Sequence, residues 1–360
     1  MVSVWKKSMV LFGMCCVLLW AAALISCGVG LKGLVTLIKG VENTPSTLIL
    51  RKDNLLYVTD ENNKLQVYDI TNPKEPVKKE QVDIFAGPYY GMTLFGNRLV
   101  VVGTNGQIAL LSLDDPSKPK TPWGRDKFVQ LPFSSGPFVI NAQAGVMYMT
   151  PGDGKALARI DLGVLNVPIL PEASIVTGAI KAYDGAGGGG IQLVLQTDGT
   201  PVRLYTGTND GKINAWLVSE IESGQANKPS SSVNCSLGNR LQKLLFHALD
   251  NVNTLIAVAE AAEGTPDIEV FDLGRNFTKA GEPASQGTAT VGGLHAFDAA
   301  SRIGVSRKLE VWDFTKSFTA PTKYAATELR SFTIRDILIV GKILFAAEAE
   351  GFRVHEFADR

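Results

Sequence analysis

Histidine is scarce in this chain of 360 residues, and neither sign of charge is in excess. The three histidines, His247, His295 and His355, are far apart in the sequence, so a histidine-based metal site is not expected. Lysine plus arginine and aspartate plus glutamate each number 35, which argues against a nucleic-acid-binding protein, because such proteins concentrate basic charge on one face.

Cysteine is almost as rare, and the usual nucleophile motifs are missing. Two of the four cysteines lie in an apolar N-terminal run and a third, Cys27, follows it, which leaves Cys235 alone in the rest of the chain. One cysteine cannot form an intrachain disulfide, so the fold must be held by its core. Cys235 has no basic neighbour in sequence and no Gly-x-Ser-x-Gly turn is present, so no catalytic residue is predicted, and Cys235 is expected to be a free thiol, structural or exposed.

The first distinctive feature of the sequence is a long apolar run near its N-terminus. Lys6 and Lys7 precede apolar residues from 9 to 25, which are followed by the small residues Ser26, Cys27 and Gly28. A basic segment, an apolar segment and small residues in this order predict a secretory signal peptide. The alternative is an uncleaved anchor helix, because about 18 apolar residues can just span a bilayer. Either interpretation tethers the rest of the chain to the outside of a membrane.

The residues Leu24-Ile25-Ser26-Cys27 resemble the lipobox of bacterial lipoproteins. The resemblance implies that residues 1–26 are removed as a lipoprotein signal peptide, that Cys27 carries the lipid, and that residues 27–32 form a short tether. Gly28 after the cysteine, rather than aspartate, implies the outer membrane if the source is a bacterium with two membranes. The expected location is therefore the cell envelope, lipid-anchored and extracytoplasmic.

One short pattern repeats along the remaining chain. It begins as a strand of alternating apolar and polar residues and continues into a polar turn and a proline-marked segment. A hydrophobic strand and a polar turn precede each copy, and a further strand precedes these. The spacing between successive copies is close to the length of one four-stranded propeller blade, which is roughly 40 to 50 residues. The seven copies are LQVYDI (65–70), IALLSL (108–113), LARIDL (157–162), INAWLV (213–218), IEVFDL (268–273), LEVWDF (309–314) and FRVHEF (352–357).

Seven such units predict an all-β fold, a seven-bladed β-propeller over residues 33–360. The last copy has no fourth strand after it in the sequence. The segment GLVTLIKG, residues 33–40, precedes the first unit and has the apolar character of a strand. We therefore expect residues 33–40 to close the last blade by strand exchange between the termini.

The best-preserved copy and its surroundings, NLLYVTDENNKLQVYDITNPKEPV (54–77), resemble the LVIVD-type propeller repeat. In that repeat a strand rich in valine and isoleucine ends in Asp-Ile-Ser/Thr-Asn-Pro, with another proline three residues on. The second copy follows this pattern loosely, and the other five keep the strand but lose the turn. The resemblance implies an extracytoplasmic propeller and implies no catalytic residues.

Acidic residues recur in the turns between the second and third strands of the units. In a propeller all these turns emerge on one face, so the carboxylates are expected on one rim, and those of the first and last units are expected to be neighbours. Such a rim suits a divalent cation or a basic partner segment. The alternative is that they are solvated turn residues, and Arg307 and Lys308 interrupt the series in the sixth unit. The candidate binding residues are Asp60, Glu61, Asp153, Asp210, Glu260, Glu263, Glu348 and Glu350.

Three further features have structural interpretations. The run GAGGGG (185–190) lacks the Gly-Lys-Ser/Thr of a phosphate loop and precedes a strand rather than a helix, so a flexible connection is expected. Residues 219–239, rich in serine, glycine, asparagine and proline, are predicted to be a loop insertion. Trp216 and Trp312 share the fourth position of the repeated strand, which predicts packing between blades.

These observations predict a non-enzymatic protein-binding or scaffolding module of the cell envelope, with a monomeric body, an unidentified envelope protein as partner and no cofactor beyond a divalent cation on the rim. Two alternatives stay open. A hydrolase resembling propeller lactonases would need a cation in the central channel, near polar residues at the ends of the innermost strands. An accessory lipoprotein of outer-membrane protein assembly fits the location and fold, although its Ala-x-Asp and Gly-x-x-x-Trp pattern is not found. The polar strand-end residues are Asn141, Gln196, His247 and His295.

Overall fold

The computed structural model of the protein describes residues 35–357, apart from 86, 122–127, 155, 164–179, 185–187, 196–199, 238–240, 250–251, 260–263, 274–283, 292–293, 299–301, 307–309 and 324–333. In this part of the chain seven antiparallel sheets of four strands form a ring, a seven-bladed β-propeller. The fold predicted from the repeat is therefore confirmed. The predicted signal peptide, Cys27 and the tether lie outside the described residues.

In each of the first six blades the strands follow one another from the ring axis outwards. Blade 1 contains β2 (Ser46–Lys52), β3 (Leu55–Asp60), β4 (Lys64–Asp69) and β5 (Val77–Asp83). Blade 2 contains β6 (Tyr89–Phe95), β7 (Arg98–Gly103), β8 (Gln107–Ser112) and β9 (Val129–Gln130). Blade 3 contains β10 (Phe138–Asn141), β11 (Val146–Met149), β12 (Ala156–Asp161) and β13 (Ile180–Asp184).

The remaining blades continue this order, except that the N-terminal strand completes the last one. Blade 4 contains β14 (Gly188–Leu195), β15 (Pro201–Thr208), β16 (Lys212–Leu217) and β17 (Ser231–Asn234). Blade 5 contains β18 (Leu241–Leu249), β19 (Val252–Ala259), β20 (Ile268–Asp272) and β21 (Ala284–Ala289). Blade 6 contains β22 (Leu294–Asp298), β23 (Ile303–Ser306), β24 (Val311–Asp313) and β25 (Thr322–Lys323). Blade 7 contains β26 (Ile334–Val340), β27 (Ile343–Glu348), β28 (Gly351–Phe357) and β1 (Val35–Glu42).

The second and third strands carry the core, which lies between successive blades. Alternate side chains of a strand point to opposite faces of its sheet. In blade 1, Leu56 and Val58 accordingly pack against blade 7, whereas Tyr57 packs against blade 2. Because both faces are covered by neighbouring blades, these strands read as nearly continuous apolar runs. The Tyr68 ring lies 5.2 Å from the Phe352 ring across the same boundary, so blades 7 and 1 are in direct contact.

The predicted loop insertion at residues 219–239 contains regular structure. The short helix α1 (Val218–Glu222) follows β16, and Val218 and Ile221 are buried on its inner side. Both residues belong to the core between blades 3 and 4, so apolar burial rather than helix length stabilises this turn. Together with β17, α1 shows that the loop prediction was wrong for these segments. No helix in the described ranges combines the length and apolar character needed to cross a bilayer.

The N-terminal strand occupies the outer position of blade 7. β1 pairs antiparallel with β28, from Val35 opposite Phe357 to Glu42 opposite Phe352. The sequence placed residues 33–40 here, and the observed strand runs two residues further along the chain. The turn before β28 packs closely against this strand. An added Cβ at Gly351 would lie 1.8 Å from the carbonyl oxygen of Glu42. The φ of Gly351 is 129°, so glycine is required on both steric and conformational grounds.

Candidate functional site

A cavity of about 450 Å³ lies among the innermost strands of the ring. Strands β2, β6, β10, β14, β18 and β26 all contribute to its wall. The size is within the range of small-molecule pockets. Its lining combines the apolar residues Leu48, Met92, Phe138, Ile191, Leu244 and Leu245 with the polar residues Thr93, Gln242, Lys243, Arg335 and Asp336.

The cavity is nearer the end of the ring at which the innermost strands begin, and we call this end the channel mouth. Six innermost strands carry a β-bulge there, where their pairing with the second strand shifts register. A bulge adds one residue to one strand and re-aims the side chains around it, and bulges are common beside functional sites. The extra residues in five of these blades are Thr47, Tyr90, Gln242, His295 and Arg335.

A half-buried carboxylate lies in the cavity wall at the mouth. The Oδ2 atom of Asp336 accepts a hydrogen bond from the main-chain N–H of Ile49 at 2.8 Å, and Oδ1 accepts one from Ile337 at 2.9 Å. Desolvation raises the pKa of Asp336 above its usual value, while the Ile49 N–H and the positive charge of Lys243 act in the opposite direction. Asp336 thus joins blade 7 to blade 1 and places a carboxylate in the field of Lys243.

Arg335 connects the mouth to the neighbouring hairpin. Its guanidinium forms an ion pair with Glu61 at 2.5 Å, between the bulge in β26 and the β3–β4 turn. The side chains are 29% and 48% exposed, so the pair stabilises the fold by on the order of 1 kcal/mol or less. Both groups reach solvent beside the cavity.

The predicted acidic rim is only partly presented to solvent, and Asp60 is turned into its own blade. Asp60 is 2% exposed. Its carboxylate accepts hydrogen bonds from the main-chain N–H groups of Asn62 at 2.8 Å and Lys64 at 3.1 Å, and from the amide of Gln66 at 2.7 Å. An acidic residue that accepts from the next turn residues fixes the hairpin. The structure thus gives Asp60 a contact set typical of a turn-stabilising residue.

Glu348 takes the equivalent position in blade 7 and is fully buried. Its carboxylate forms an ion pair with Arg353 at 3.1 Å and lies 3.4 Å from Nε2 of the buried His355. Glu350, in the next turn, is exposed and pairs with Arg353 at 2.7 Å. Blades 7 and 1 are neighbours, as predicted, but of their four acidic turn residues Glu61 and Glu350 are the two that reach solvent.

The other candidate rim residues lie on separate blades. Asp153 and Asp210 are exposed in the turns of blades 3 and 4. Hydrogen bonds from Lys212, at 2.6 Å, and from the Thr208 hydroxyl lower the pKa of Asp210. Glu260 and Glu263 lie outside the described residues, as do Arg307 and Lys308. Over the described ranges, no three His, Cys, Asp or Glu side chains are grouped closely enough to hold a metal ion.

The polar strand-end residues suggested for a channel cation do not share one end of the channel. Asn141 and His247 lie in the far halves of β10 and β18, towards the hairpins opposite the mouth. Asn141 is buried and accepts a hydrogen bond from the Ala144 N–H at 3.2 Å, which fixes the β10–β11 turn. His295 occupies the bulge position in blade 6, and Gln196 is outside the described residues.

The glycine run forms part of the channel wall, so the prediction of a flexible connection was wrong for residues 188–190. These residues begin β14. An added Cβ at Gly190 would lie 2.3 Å from the main-chain nitrogen of Leu244, and one at Gly189 would lie 2.3 Å from the carbonyl oxygen of Leu241. The innermost strands of blades 4 and 5 therefore touch main chain to main chain, which glycine alone permits.

Cys235 and the two repeat tryptophans have the structural roles predicted for them. Cys235 is 5% exposed, and its thiol donates to the buried carboxylate of Glu269 at 2.9 Å. Burial and this hydrogen bond raise the pKa of the Cys235 thiol, so it is structural rather than exposed. Trp216 is 1% exposed in the core between blades 3 and 4, and Trp312 packs against the core between blades 5 and 6.

Lys243, Arg335 and Asp336 were not among the residues predicted from the sequence. Each is a charged residue near the start of a strand that is otherwise mostly apolar, LQKLLFHAL in blade 5 and IRDILIV in blade 7. A charged side chain near the start of an innermost strand must face the ring axis or a neighbouring blade. A charge at such a position is therefore the sequence signal that could have identified these three residues.

Comparison with known proteins does not assign the chain to a family. No protein-family model matches it, and no curated protein matches it at a significant level. The resemblances to the lipobox and to the LVIVD-type repeat therefore stay predictions that rest on the residues that carry them. The case for a function rests on the geometry of the channel mouth.

Proposed function

We propose that this protein is a membrane-anchored, extracytoplasmic β-propeller of the bacterial cell envelope, which binds a protein partner at the channel mouth. The observation that carries the proposal is the cavity on the ring axis, whose wall is formed by six blades and contains Lys243, Arg335 and Asp336. Binding residues are commonly held in position by a rigid scaffold. The ring is such a scaffold, because its cores lie between blades and fix each blade against the next.

The chemistry of the mouth favours a polypeptide over an ion of one charge. Arg335 and Glu61 place both signs of charge at the surface, and Asp336 and Lys243 place both signs in the wall. Tyr90 is 38% exposed at the bulge of β6. Aromatic residues and arginine are enriched at protein interfaces, and complementary charge fixes the register of a bound segment. A peptide segment that carries acidic, basic and apolar side chains fits this surface.

In the proposal, Cys27 provides the membrane anchor. A lipoprotein cysteine that carries two or more acyl chains gives stable attachment, whereas a single chain binds only reversibly. The measurement is incorporation of labelled palmitate in the producing bacterium, which is expected for the full chain and lost in Cys27→Ser. A variant that stays in the membrane without incorporating label would instead indicate that the apolar run of residues 9–25 is an uncleaved anchor.

The binding site is tested by photo-crosslinking in the membranes of the producing bacterium. A photoreactive residue replaces Tyr90 at the mouth or, as the control, Val77, which is 56% exposed on the outer edge of blade 1. We expect a discrete adduct with one protein from position 90 and none from position 77. Lys243→Ala with Arg335→Ala should abolish the adduct from position 90, because both basic side chains of the mouth are then lost. Adducts of equal yield from both positions, or an adduct unaffected by the double substitution, would contradict binding at the mouth.

A further inference from the structure

We infer that the channel mouth faces away from the membrane, so that the partner reaches it from the aqueous compartment. The inference rests on the proposed function in one respect, that the body is anchored through the residues before Val35. It holds for a lipid on Cys27 and for an uncleaved apolar anchor alike, because both attach at the same end of β1.

The direction of β1 fixes where the anchor leaves the ring. Val35 lies opposite Phe357 of β28, and the neighbouring Glu356 lies opposite Ile343, the first residue of β27. Val35 is therefore level with the β26–β27 hairpin. The other end of β1, at Glu42, lies opposite Phe352, next to the β27–β28 hairpin.

The mouth is at that second end of blade 7. Gly351 pairs with Glu348 at the β27–β28 hairpin, and Glu348 also pairs with Ile334, the first residue of β26. The bulge residue Arg335 follows directly. The anchored end of β1 and the channel mouth are thus separated by the full height of the blade.

The length of the segment between Cys27 and β1 excludes the opposite orientation. Eight residues, 27–34, connect Cys27 to β1 and span at most about 29 Å when fully extended. β1 itself has eight residues and rises about 26 Å. A mouth placed on the bilayer would need this eight-residue segment to run back along the whole outer edge of blade 7, which leaves almost no length to reach the membrane.

This orientation narrows the class of partner. The hairpins between first and second strands lie on the membrane side, and the mouth, with Arg335, Glu61 and Tyr90, is presented to the aqueous side. The ligand is therefore a water-borne polypeptide segment, from a soluble protein or from the part of an envelope protein that projects into the aqueous compartment, and not a lipid or a bilayer-embedded segment.

The test compares two asparagines at opposite ends of one strand. Asn54 and Asn62 are both exposed and flank β3, Asn54 on the side of the anchor and Asn62 on the side of the mouth. Each is replaced by cysteine in the full chain, labelled with a fluorescent donor and reconstituted in liposomes whose lipid headgroups carry an acceptor. The parent chain without a new cysteine is the labelling control, because it keeps the buried Cys235 and the three N-terminal cysteines of the full chain.

We expect energy transfer from position 54 to be roughly twofold higher than from position 62, because the strand between them separates the donors by about 20 Å along the ring axis. Asn97→Cys and Asn105→Cys, which flank β7 in blade 2, should give the same order and guard against a local effect at one position. Equal transfer in both pairs, or higher transfer from positions 62 and 105, would overturn the orientation while membrane attachment stands. Recovery of the full chain from the soluble fraction would instead overturn the anchoring, and the orientation with it.

Discussion

Replacement of Gly351 by alanine tests how the ring is closed. Gly351 begins β28 with a φ of 129°, a conformation that L side chains rarely adopt. Its missing side chain also makes room for β1, because an added Cβ would lie 1.8 Å from the carbonyl oxygen of Glu42 and 2.8 Å from its carbonyl carbon. These atoms are main chain, so neither a rotamer change nor a flexible side chain can relieve the overlap.

The expected loss of stability combines two costs. A non-glycine residue in such a backbone region costs about 1 to 3 kcal/mol. Displacement of closely packed atoms costs about 1 to 3 kcal/mol more. We therefore expect Gly351→Ala to lower the free energy of unfolding by about 2 to 6 kcal/mol, mostly through separation of β1 from β28.

Two glycines of the same blade serve as matched controls in urea unfolding followed by tryptophan fluorescence. Gly40 lies within β1, has no atom near its added Cβ and is not in the left-handed region, so Gly40→Ala should change stability little. Gly341, in the β26–β27 hairpin, has a φ of 61° but open space around it, so Gly341→Ala should cost only the conformational term of about 1 to 2 kcal/mol. Trp216, 1% exposed, reports loss of the core.

The ranking of the three variants decides the matter. The contact between the β27–β28 hairpin and β1 requires the order Gly40→Ala, Gly341→Ala and Gly351→Ala, from least to most destabilised. A difference of about 0.5 kcal/mol is no larger than the effect of an ordinary surface substitution. If the free energies of unfolding of Gly351→Ala and Gly40→Ala differed by no more than this, the contact between the β27–β28 hairpin and β1 would be refuted.

Three further predictions concern the channel wall, the thiol and a surface turn. Gly190→Ala should lower the free energy of unfolding by about 1 to 3 kcal/mol in the same assay, since the new methyl meets the main chain of blade 5, and an unchanged value would contradict that contact. Cys235 should not react with a thiol reagent at pH 8 in the folded protein and should react fully in guanidinium, because burial and Glu269 raise its pKa; rapid labelling of the folded protein would show that the thiol is exposed. Hydrogen bonds from Thr71 lower the pKa of Asp69 to about 2, so the stability they add is present above pH 4 and is lost as the pH falls towards 2. Asp69→Asn should accordingly lower the unfolding midpoint at pH 7 and leave it unchanged near pH 2, and an equal loss at both values would assign the effect to packing instead.

The turn in the best-preserved copy of the repeat has a structural role. The Asp-Ile-Thr-Asn-Pro turn after β4 is held by local hydrogen bonds, from Thr71 to Asp69 and between Asn72 and Glu75. It lies at the end of the blade opposite the mouth, since β4 begins at the β3–β4 hairpin. The turn therefore identifies the architecture, and the candidate site lies across the blade from it.

The sequence by itself determined the number of blades, the strand order and the closing position of the N-terminal strand. These follow from a repeat and from alternation within short segments, where side-chain direction is fixed by the local backbone. Residues 55–70 illustrate this, because their apolar pattern alone places Leu56, Val58 and Tyr68 in a core.

Only the tertiary structure decided which charges lie at the channel mouth. Asp60 and Glu348 look like exposed turn residues in the sequence, yet neighbouring strands bury them, while Asp336 receives a hydrogen bond from Ile49, 287 residues away. The close contact of Gly190 with blade 5 is likewise invisible in a run of glycines. Burial, hydrogen bonding and charge at the channel mouth depend on contacts between blades, and no local pattern encodes which residues those contacts bring together.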